Sequence, residues 1–273
     1  MSWWGKLVGG AFGFMLGGPL GALFGAAVGH QFDRGLERAG LEFTGAAGEQ
    51  ERVQAAFFTA LFSVMGAVAK ADGRVSEDEI AMARSVMQQM ALDETQKRVA
   101  IDLFNAGKQP DFDLDAVVAQ FRQESRRRTN LHRMFLEILL HAAWADGVLQ
   151  PEEQSLLRRV ADGLGFSAQA FARLEAMVRA QRAFFGGGGE QPGGFGTEAP
   201  PRADRLREAY ALLGVDESAT DTEIKKAYRR LMNQHHPDKL VAKGLPDEMI
   251  KLATEKTQEI KAAYELIRKA REG

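Results

Sequence analysis

The chain has 273 residues, of which 26% are charged, with a net charge of −2 and no cysteine. This length allows two ordinary domains, and the near-neutral charge gives no general attraction for nucleic acid. Without cysteine there is neither a disulfide framework nor a thiol nucleophile, so a metal site would need His and carboxylate ligands. Outside two glycine-rich stretches Ala, Leu, Glu, Arg and Met dominate, which predicts an all-α fold.

The first 31 residues have the character of a membrane anchor. Between Leu7 and Gln31 there is no Asp, Glu, Lys or Arg. A helix of ~25 residues is about 37 Å long, enough to cross a hydrocarbon core of ~30 Å. Glycine recurs at every fourth position, which creates one smooth face of the kind that pairs helices in membranes. We predict a single transmembrane helix at 1–31 that forms a homodimer through Gly9, Gly13, Gly17, Gly21 and Gly25.

Two other interpretations of this segment are open: a helix packed in a soluble core or on a membrane surface, and a cleaved secretory signal. The apolar run is longer than the core of a usual signal, which argues against cleavage. Lys6 precedes the run, whereas Arg34 and Arg38 follow it. This bias weakly favours a cytoplasmic C-terminal side. A juxtamembrane segment is predicted for 32–55.

The centre of the chain contains an internal repeat, in which 57–90 matches 131–164 at an offset of 131 − 57 = 74 residues. Each copy has an apolar helical pattern, then Ala-Asp-Gly, then a second helix start. Gly73 and Gly147 fit the left-handed position that ends a helix, and Glu79 and Glu153 fit the third helical position of a capping box. The repeat therefore predicts a helix-turn-helix that occurs twice.

This pattern resembles the TerB-like helical domain, over about 56–181. The carboxylates at equivalent positions of the two copies are candidate ligands for a divalent cation: Asp72, Glu79, Asp146 and Glu153. Turn formation and helix capping explain the same spacing without a metal, so we predict neither a metal nor a cofactor. The run Arg126-Arg127-Arg128 is interpreted as a solvated face, with contact to phospholipid headgroups as the alternative.

Glycine and proline crowd 182–204, where no apolar period survives, so we predict a flexible linker there. Beyond it a short helix ends at Gly214, and Asp221-Thr222 is predicted to cap a second helix. That helix has an apolar face and an opposite cationic face, and a third helix is expected over 247–271. Helices of this length joined by a short loop pair antiparallel. The cationic face consists of Lys225, Lys226, Arg229 and Arg230, and the helix leads into His236-Pro237-Asp238.

These motifs, in this register, resemble the J-domain over 205–273. The resemblance implies that the chain is not an enzyme, and that His-Pro-Asp and the cationic face bind a DnaK-type chaperone and stimulate its ATP hydrolysis. Pro237 fixes its own backbone and pushes His236 out of the helical region, so the chain leaves the second helix at a defined place. The implied contact residues are His236, Pro237, Asp238, Lys225, Lys226, Arg229, Arg230 and Lys239, with Lys256 and Lys261 of the third helix in addition.

Two alternatives concern other chemistry. A metal cluster of His235, His236 and Asp238 is disfavoured, because Pro237 divides it and a fourth ligand is not evident. Nucleic-acid binding is disfavoured, because the cationic face is short and belongs to a nearly neutral chain.

The order of membrane segment, TerB-like bundle, linker and J-domain resembles the membrane-anchored J-domain co-chaperones of bacteria. The resemblance implies an inner-membrane protein with its C-terminal bulk in the cytoplasm, where its ATP-dependent partner works. The alternative is a stress- or metal-responsive membrane sensor or scaffold. In that hypothesis the TerB-like domain is the active element and the J-domain is its output. Neither hypothesis identifies client proteins.

Overall fold

The computed structural model describes residues 18–32, 48–71, 73, 77–145, 147–186, 202–243, 245–246 and 249–272. The described residues form helices, turns and connections without a β-strand, which confirms the all-α prediction. The helices are α1 (Gly18–Phe32), α2 (Glu49–Ala69), α3 (Glu77–Gln89), α4 (Glu94–Gly107), α5 (Leu114–Glu124), α6 (Thr129–Ala143), α7 (Pro151–Gly163), α8 (Ala168–Gly186), α9 (Arg202–Leu213), α10 (Asp221–His235), α11 (Pro237–Val241) and α12 (Ile250–Glu272). They divide into two compact units, Met1–Phe166 with Val241–Ile250, and Ser167–Leu240 with Lys251–Gly273.

The first unit is a bundle built around α2. Every residue of α2 from Val53 to Gly66 is buried, because α4, α5, α6 and α7 all pack against it. Three phenylalanines meet at its centre: the ring of Phe57 lies 5.8 Å from that of Phe121 and 5.7 Å from that of Phe135, in edge-on arrangements. Edge-on aromatic pairs add to the stability that area burial already provides.

The closest helix pair in this unit is α2 with α4. A Cβ atom added to Gly66 would overlap the carbonyl oxygen of Phe104, and one added to Gly107 would overlap that of Ser63. The two glycines therefore let the two backbones touch at reciprocal places. A larger residue at either position must push the helices apart.

The two copies of the internal repeat are confirmed as α2–α3 and α6–α7. Gly73 and Gly147 take the predicted left-handed conformation, with φ of 89° and 92°. The second hairpin also has its predicted start, because Pro151 begins α7 and the Gln150 amide donates to Glu153 Oε2 at 2.9 Å. Between the copies lie α4 and α5, which have no counterpart in the repeat.

Two helices bear on the predicted membrane span. Among the described residues, α2 is the one helix that is both long and apolar enough to cross a bilayer, and its burial makes it a core helix. The anchor prediction falls on α1 and on residues 1–17, which lie outside the described part. In α1 the Leu20 and Phe24 side chains are buried, and the Leu20 amide donates to Gln120 Oε1 of α5 at 2.8 Å.

The second unit is a helical hairpin of α10 and α12 supported by α8 and α9. The Tyr228 and Tyr264 rings stack across the hairpin with 4.3 Å between their centroids, and this contact packs α10 against α12. At its base the Arg271 guanidinium donates to Tyr210 Oη at 2.7 Å, to Asp221 Oδ1 at 2.8 Å and to the Glu217 carbonyl at 2.9 Å. These contacts fix the end of α12 beside the start of α10.

Candidate functional site

The start of α10 differs by one residue from the sequence prediction. Thr220, not Asp221, is the cap: its hydroxyl accepts from the Glu223 amide at 3.3 Å, and Glu223 Oε2 accepts from the Thr220 amide at 2.8 Å. Thr220 has the extended backbone that a cap residue needs, which leaves Asp221 as the first helical residue. The hydrogen bonds from Thr220 lower the pKa of the Glu223 carboxyl. The helix therefore begins with a fixed register.

That register separates the two predicted faces of α10. Ile224, Ala227 and Leu231 are buried in the hairpin. The cationic face, which consists of Lys225, Lys226, Arg229 and Arg230, is exposed. The spacing of apolar residues at three and four positions thus directs every one of these cations to solvent.

The His-Pro-Asp tripeptide lies where α10 ends. His236 is extended, with φ of −60° and ψ of 124°, as its position before proline predicts. Pro237 then begins the short helix α11, where the sequence suggested only a loop. Proline suits the first position of a helix, because its missing N–H has no partner there.

The side chains of His236 and Asp238 are presented to solvent. Asp238 is 90% exposed and His236 is 46% exposed, with 3.9 Å between His236 Nδ1 and Asp238 Oδ2. At that distance the two groups do not form a strong hydrogen bond, so both remain able to bind another molecule. His235 is instead buried, so the two adjacent histidines face different environments.

The cations of α10 and α12 differ in their partners. On α12, Lys251, Lys261 and Arg268 each lie within 4.0 Å of a glutamate one turn further along the same helix. Within the described part of the chain, no ion pair involves Lys225, Lys226, Arg229 or Arg230. Lys239, on α11, contacts the side-chain oxygen of Asn233. The α10 face therefore carries four exposed cations that form no ion pair among the described residues, and it leads into His236.

The prediction that Lys256 contacts the chaperone is wrong. The Lys256 side chain is buried and contacts Gln181 Oε1 of α8, with Glu259 Oε2 4.0 Å away. Sequence periodicity placed Lys256 on α12 correctly, but it could not show that α8 covers that position. Lys261 is exposed and is paired with Glu265 at 3.9 Å.

The candidate metal ligands are described only in part. Asp72 and Asp146 lie outside the described residues, as does the side chain of Glu79. Glu153 is buried and caps α7 through the Gln150 amide. Among the described residues no three His, Asp or Glu side chains come together to hold a metal ion. The sensor hypothesis therefore rests on the sequence alone.

Only some of the candidate dimerisation glycines lie in the part of the chain that the structure describes. Gly21 and Gly25 lie in α1, whereas Gly9, Gly13 and Gly17 are outside the described residues.

Three known families match successive parts of this chain. Residues 1–39 match the co-chaperone DjlA transmembrane domain, 58–176 match the tellurite resistance protein TerB, and 208–272 match the DnaJ domain. The order is the one that the sequence predicts, and the first match identifies an N-terminal membrane anchor.

Relatives match along the whole length. Co-chaperone protein DjlA of Coxiella burnetii is 48% identical over 99% of both chains. DjlA of Vibrio cholerae is 47% identical over 98% of both, and DjlA of Photobacterium profundum is 46% identical over 97% of this chain and 98% of its own. No solved structure matches. This chain belongs to the DjlA family of co-chaperones, which are membrane-anchored J-domain proteins and not enzymes.

Proposed function

We propose that this chain stimulates ATP hydrolysis by a DnaK-type chaperone through His236-Pro237-Asp238 and the cationic face. The observation that carries the proposal is the unpaired positive charge of α10 beside an exposed His236 and Asp238. A J-domain co-chaperone acts on an Hsp70 partner, and these four exposed cations form no ion pair among the described residues, so they can meet acidic groups of that partner.

Each group has a distinct task in this proposal. Lys225, Lys226, Arg229 and Arg230 attract an acidic surface of the partner and orient it during encounter. The Asp238 carboxylate accepts a two-fold hydrogen bond from an arginine of the partner. His236 offers one ring nitrogen as a donor and the other as an acceptor. The partner hydrolyses ATP, and the hairpin shifts its conformation without any bond chemistry of its own.

His236→Gln tests this role. We expect the stimulated rate to fall to that of the chaperone alone in single-turnover ATP hydrolysis with the full chain in detergent micelles. The melting temperature should not change, because the half-exposed His236 ring contributes little packing. Arg268→Gln, on the same hairpin, is the matched control and should keep its stimulation, because Arg268 is paired with Glu272. Full stimulation by the His236 variant would refute the proposed mechanism.

We further propose that the anchor at 1–31 places the bulk of the chain in the cytoplasm and forms a homodimer through its glycines. The observations in support are the glycine at every fourth position and the ATP requirement of the partner. Replacing Gly13 and Gly17 by leucine should weaken self-association at least several-fold in a membrane two-hybrid assay. Equal association would contradict the glycine face, and cleavage of the hairpin by protease added outside intact spheroplasts would contradict the orientation.

The domain bounds that accompany this proposal are a juxtamembrane segment at 32–55, the TerB-like domain at 56–181, the linker at 182–204 and the J-domain at 205–273. Of the proposed linker, residues 182–186 lie in α8 and 202–204 lie in α9, and 187–201 lie outside the described residues. Limited proteolysis should cut first between those two helices. Initial cleavage in the part of α8 that precedes residue 182 would argue against the proposed linker.

A further inference from the structure

A cavity of about 570 Å³ opens on the first unit, where α5 turns into α6. Its wall carries three arginines, Arg122, Arg126 and Arg127, together with polar groups of Gln123 and Thr129. None of the described residues that line it is acidic. Arg126 and Arg127 are exposed, as their interpretation as a solvated face predicts, and they also border this concave site. Its volume falls in the range of small-molecule sites.

The acidic groups near this cavity already have other partners. Arg52 holds Glu124 with both carboxylate oxygens at 3.0 Å, and Arg128 holds Glu49 at 2.9 Å. Within the described part of the chain, Arg126 and Arg127 have no ion pair. Arg122 uses one nitrogen to donate to the Gly163 carbonyl at 3.1 Å, and a carbonyl leaves its charge uncompensated. Three guanidinium groups that form no ion pair among the described residues therefore line the cavity.

The backbone beside the arginines adds donors. No side chain caps α6, whose cap residue is Arg128. In the described residues the Thr129 and Asn130 amides have no hydrogen-bond acceptor. The start of a helix carries a partial positive charge that favours anions. His132 lines the same wall, and burial and the nearby Arg122 guanidinium lower its pKa to about 4, so at neutral pH it adds no charge of its own.

We propose that this cavity binds a phosphate-bearing anion. Guanidinium groups pair with phosphate oxygens two at a time, and several of them together favour a multiply charged tetrahedral anion over a single carboxylate. The phosphate has two possible sources, the headgroup of an acidic membrane phospholipid and free phosphate. The membrane source is within reach, since α1 of the anchor match contacts α5, which also lines the cavity.

The test removes two arginines without disturbing the turn. Arg127 has a left-handed backbone, with φ of 62°, so Arg127→Gly removes its cation and relaxes the chain there. We combine it with Arg126→Gln in one double variant. Arg158→Gln is the matched control, because Arg158 is exposed on α7 of the same unit and does not line the cavity.

In the first arm, inorganic phosphate is titrated into the full chain in nonionic detergent micelles by calorimetry, against sodium chloride of equal ionic strength. In the second arm, hydrogen exchange of 122–132 is compared between nanodiscs of phosphatidylcholine with and without phosphatidylglycerol. Loss of two arginines should weaken binding roughly thirty-fold. The control should behave as the wild type, and all variants should stimulate a DnaK-type chaperone in micelles to the same extent.

Protection only by phosphatidylglycerol would identify a lipid headgroup, and a response only to inorganic phosphate would identify a free anion. Either result supports the site. The proposal is overturned if neither probe changes the wild type, if the double variant responds as the wild type does, or if Arg158→Gln loses as much as the double variant. The ATPase readout keeps this outcome separate from the proposed role of His236.

Discussion

The core helix α2 and the hairpin helix α10 use their sequences in opposite ways. Every residue of α2 from Val53 to Gly66 is buried, whereas α10 buries its apolar stripe and His235 and leaves four cations without ion pairs among the described residues. The role of α2 depends on side-chain shape, because each side chain there must pack against its neighbours. The role of α10 depends on surface cations that form no ion pair within the described part of the chain. Changes in α2 should therefore alter stability, and changes on the surface of α10 should alter partner binding.

The largest effect that this comparison predicts is on Gly66. Gly66→Ala places a methyl group against the Phe104 carbonyl, so α2 and α4 must separate. We expect the free energy of unfolding to fall by about 3 kcal/mol, measured by urea denaturation of the full chain in micelles. At temperatures where the variant is folded, stimulation of the chaperone should be retained.

Gly48→Ala is the control, because a Cβ atom at Gly48 meets nothing within 4 Å. Should Gly66→Ala unfold at the same urea concentration as the wild type, the close backbone contact between α2 and α4 would be refuted.

A second effect of burial is a dependence of stability on pH. His132 is 6% exposed, Ser125 Oγ lies 2.7 Å from its Nε2, and its pKa is lowered from 6.5 to about 4 by burial first and by Arg122 second. In the unfolded chain this histidine takes up a proton near pH 6.5, but in the folded chain only near pH 4. Stability is therefore complete above pH 6.5 and falls by about 3 kcal/mol as the pH drops to 4.

His132→Phe keeps an aromatic ring beside Phe121 and removes the titration. The Ser125 hydroxyl retains a partner, since it also donates to the Phe121 carbonyl. The difference between wild type and variant isolates His132 from the carboxylates that titrate in the same range. Parallel curves of unfolding free energy against pH for the two proteins would show that His132 is not protected from protonation.

Substitutions on the cationic face of the hairpin should have the smallest effect on stability and a clear effect on the rate of binding. Arg229→Gln with Arg230→Gln should slow association with the chaperone roughly tenfold at low salt, because both cations are free to steer an acidic partner. Association is measured by stopped-flow fluorescence at several salt concentrations. The free energy of unfolding should change by less than ~0.5 kcal/mol, as for ordinary surface substitutions.

Lys251→Gln with Arg268→Gln is the matched pair on α12, where each cation already has a glutamate. We expect little change in its association rate and a shallower dependence on salt only for the α10 variant. Equal losses from both pairs would mean that net charge matters and that the α10 face has no special role.

Local signals predicted much of this structure. Gly73, Gly147 and Gly214 were assigned to helix ends, and all three have positive φ. The extended backbone of His236 followed from the proline after it. Such features depend on a few adjacent residues, so the local sequence is enough to predict these backbone conformations.

Features that depend on distant residues were not predictable. The burial of Lys256 requires α8 to lie over α12, and the arginine cavity requires α5, α6 and the end of α7 to meet. The cap at Thr220 was missed by one residue because Thr220, Asp221 and Thr222 are all good caps, and only the backbone decides among them.

The three contacts of Arg271 have a mechanical consequence for the exposed tip. From Asp221 to His235 there are 14 residue steps along α10, which span about 21 Å at the helical rise. The hairpin is held at one end by the contacts of Arg271 with Tyr210 and Asp221, so any rotation about that end moves the tip. A tilt of α10 by about 10° about that end would displace the tip by roughly 4 Å, which is more than the length of a hydrogen bond. The aim of His236 is therefore set in part by a guanidinium at the opposite end of the hairpin.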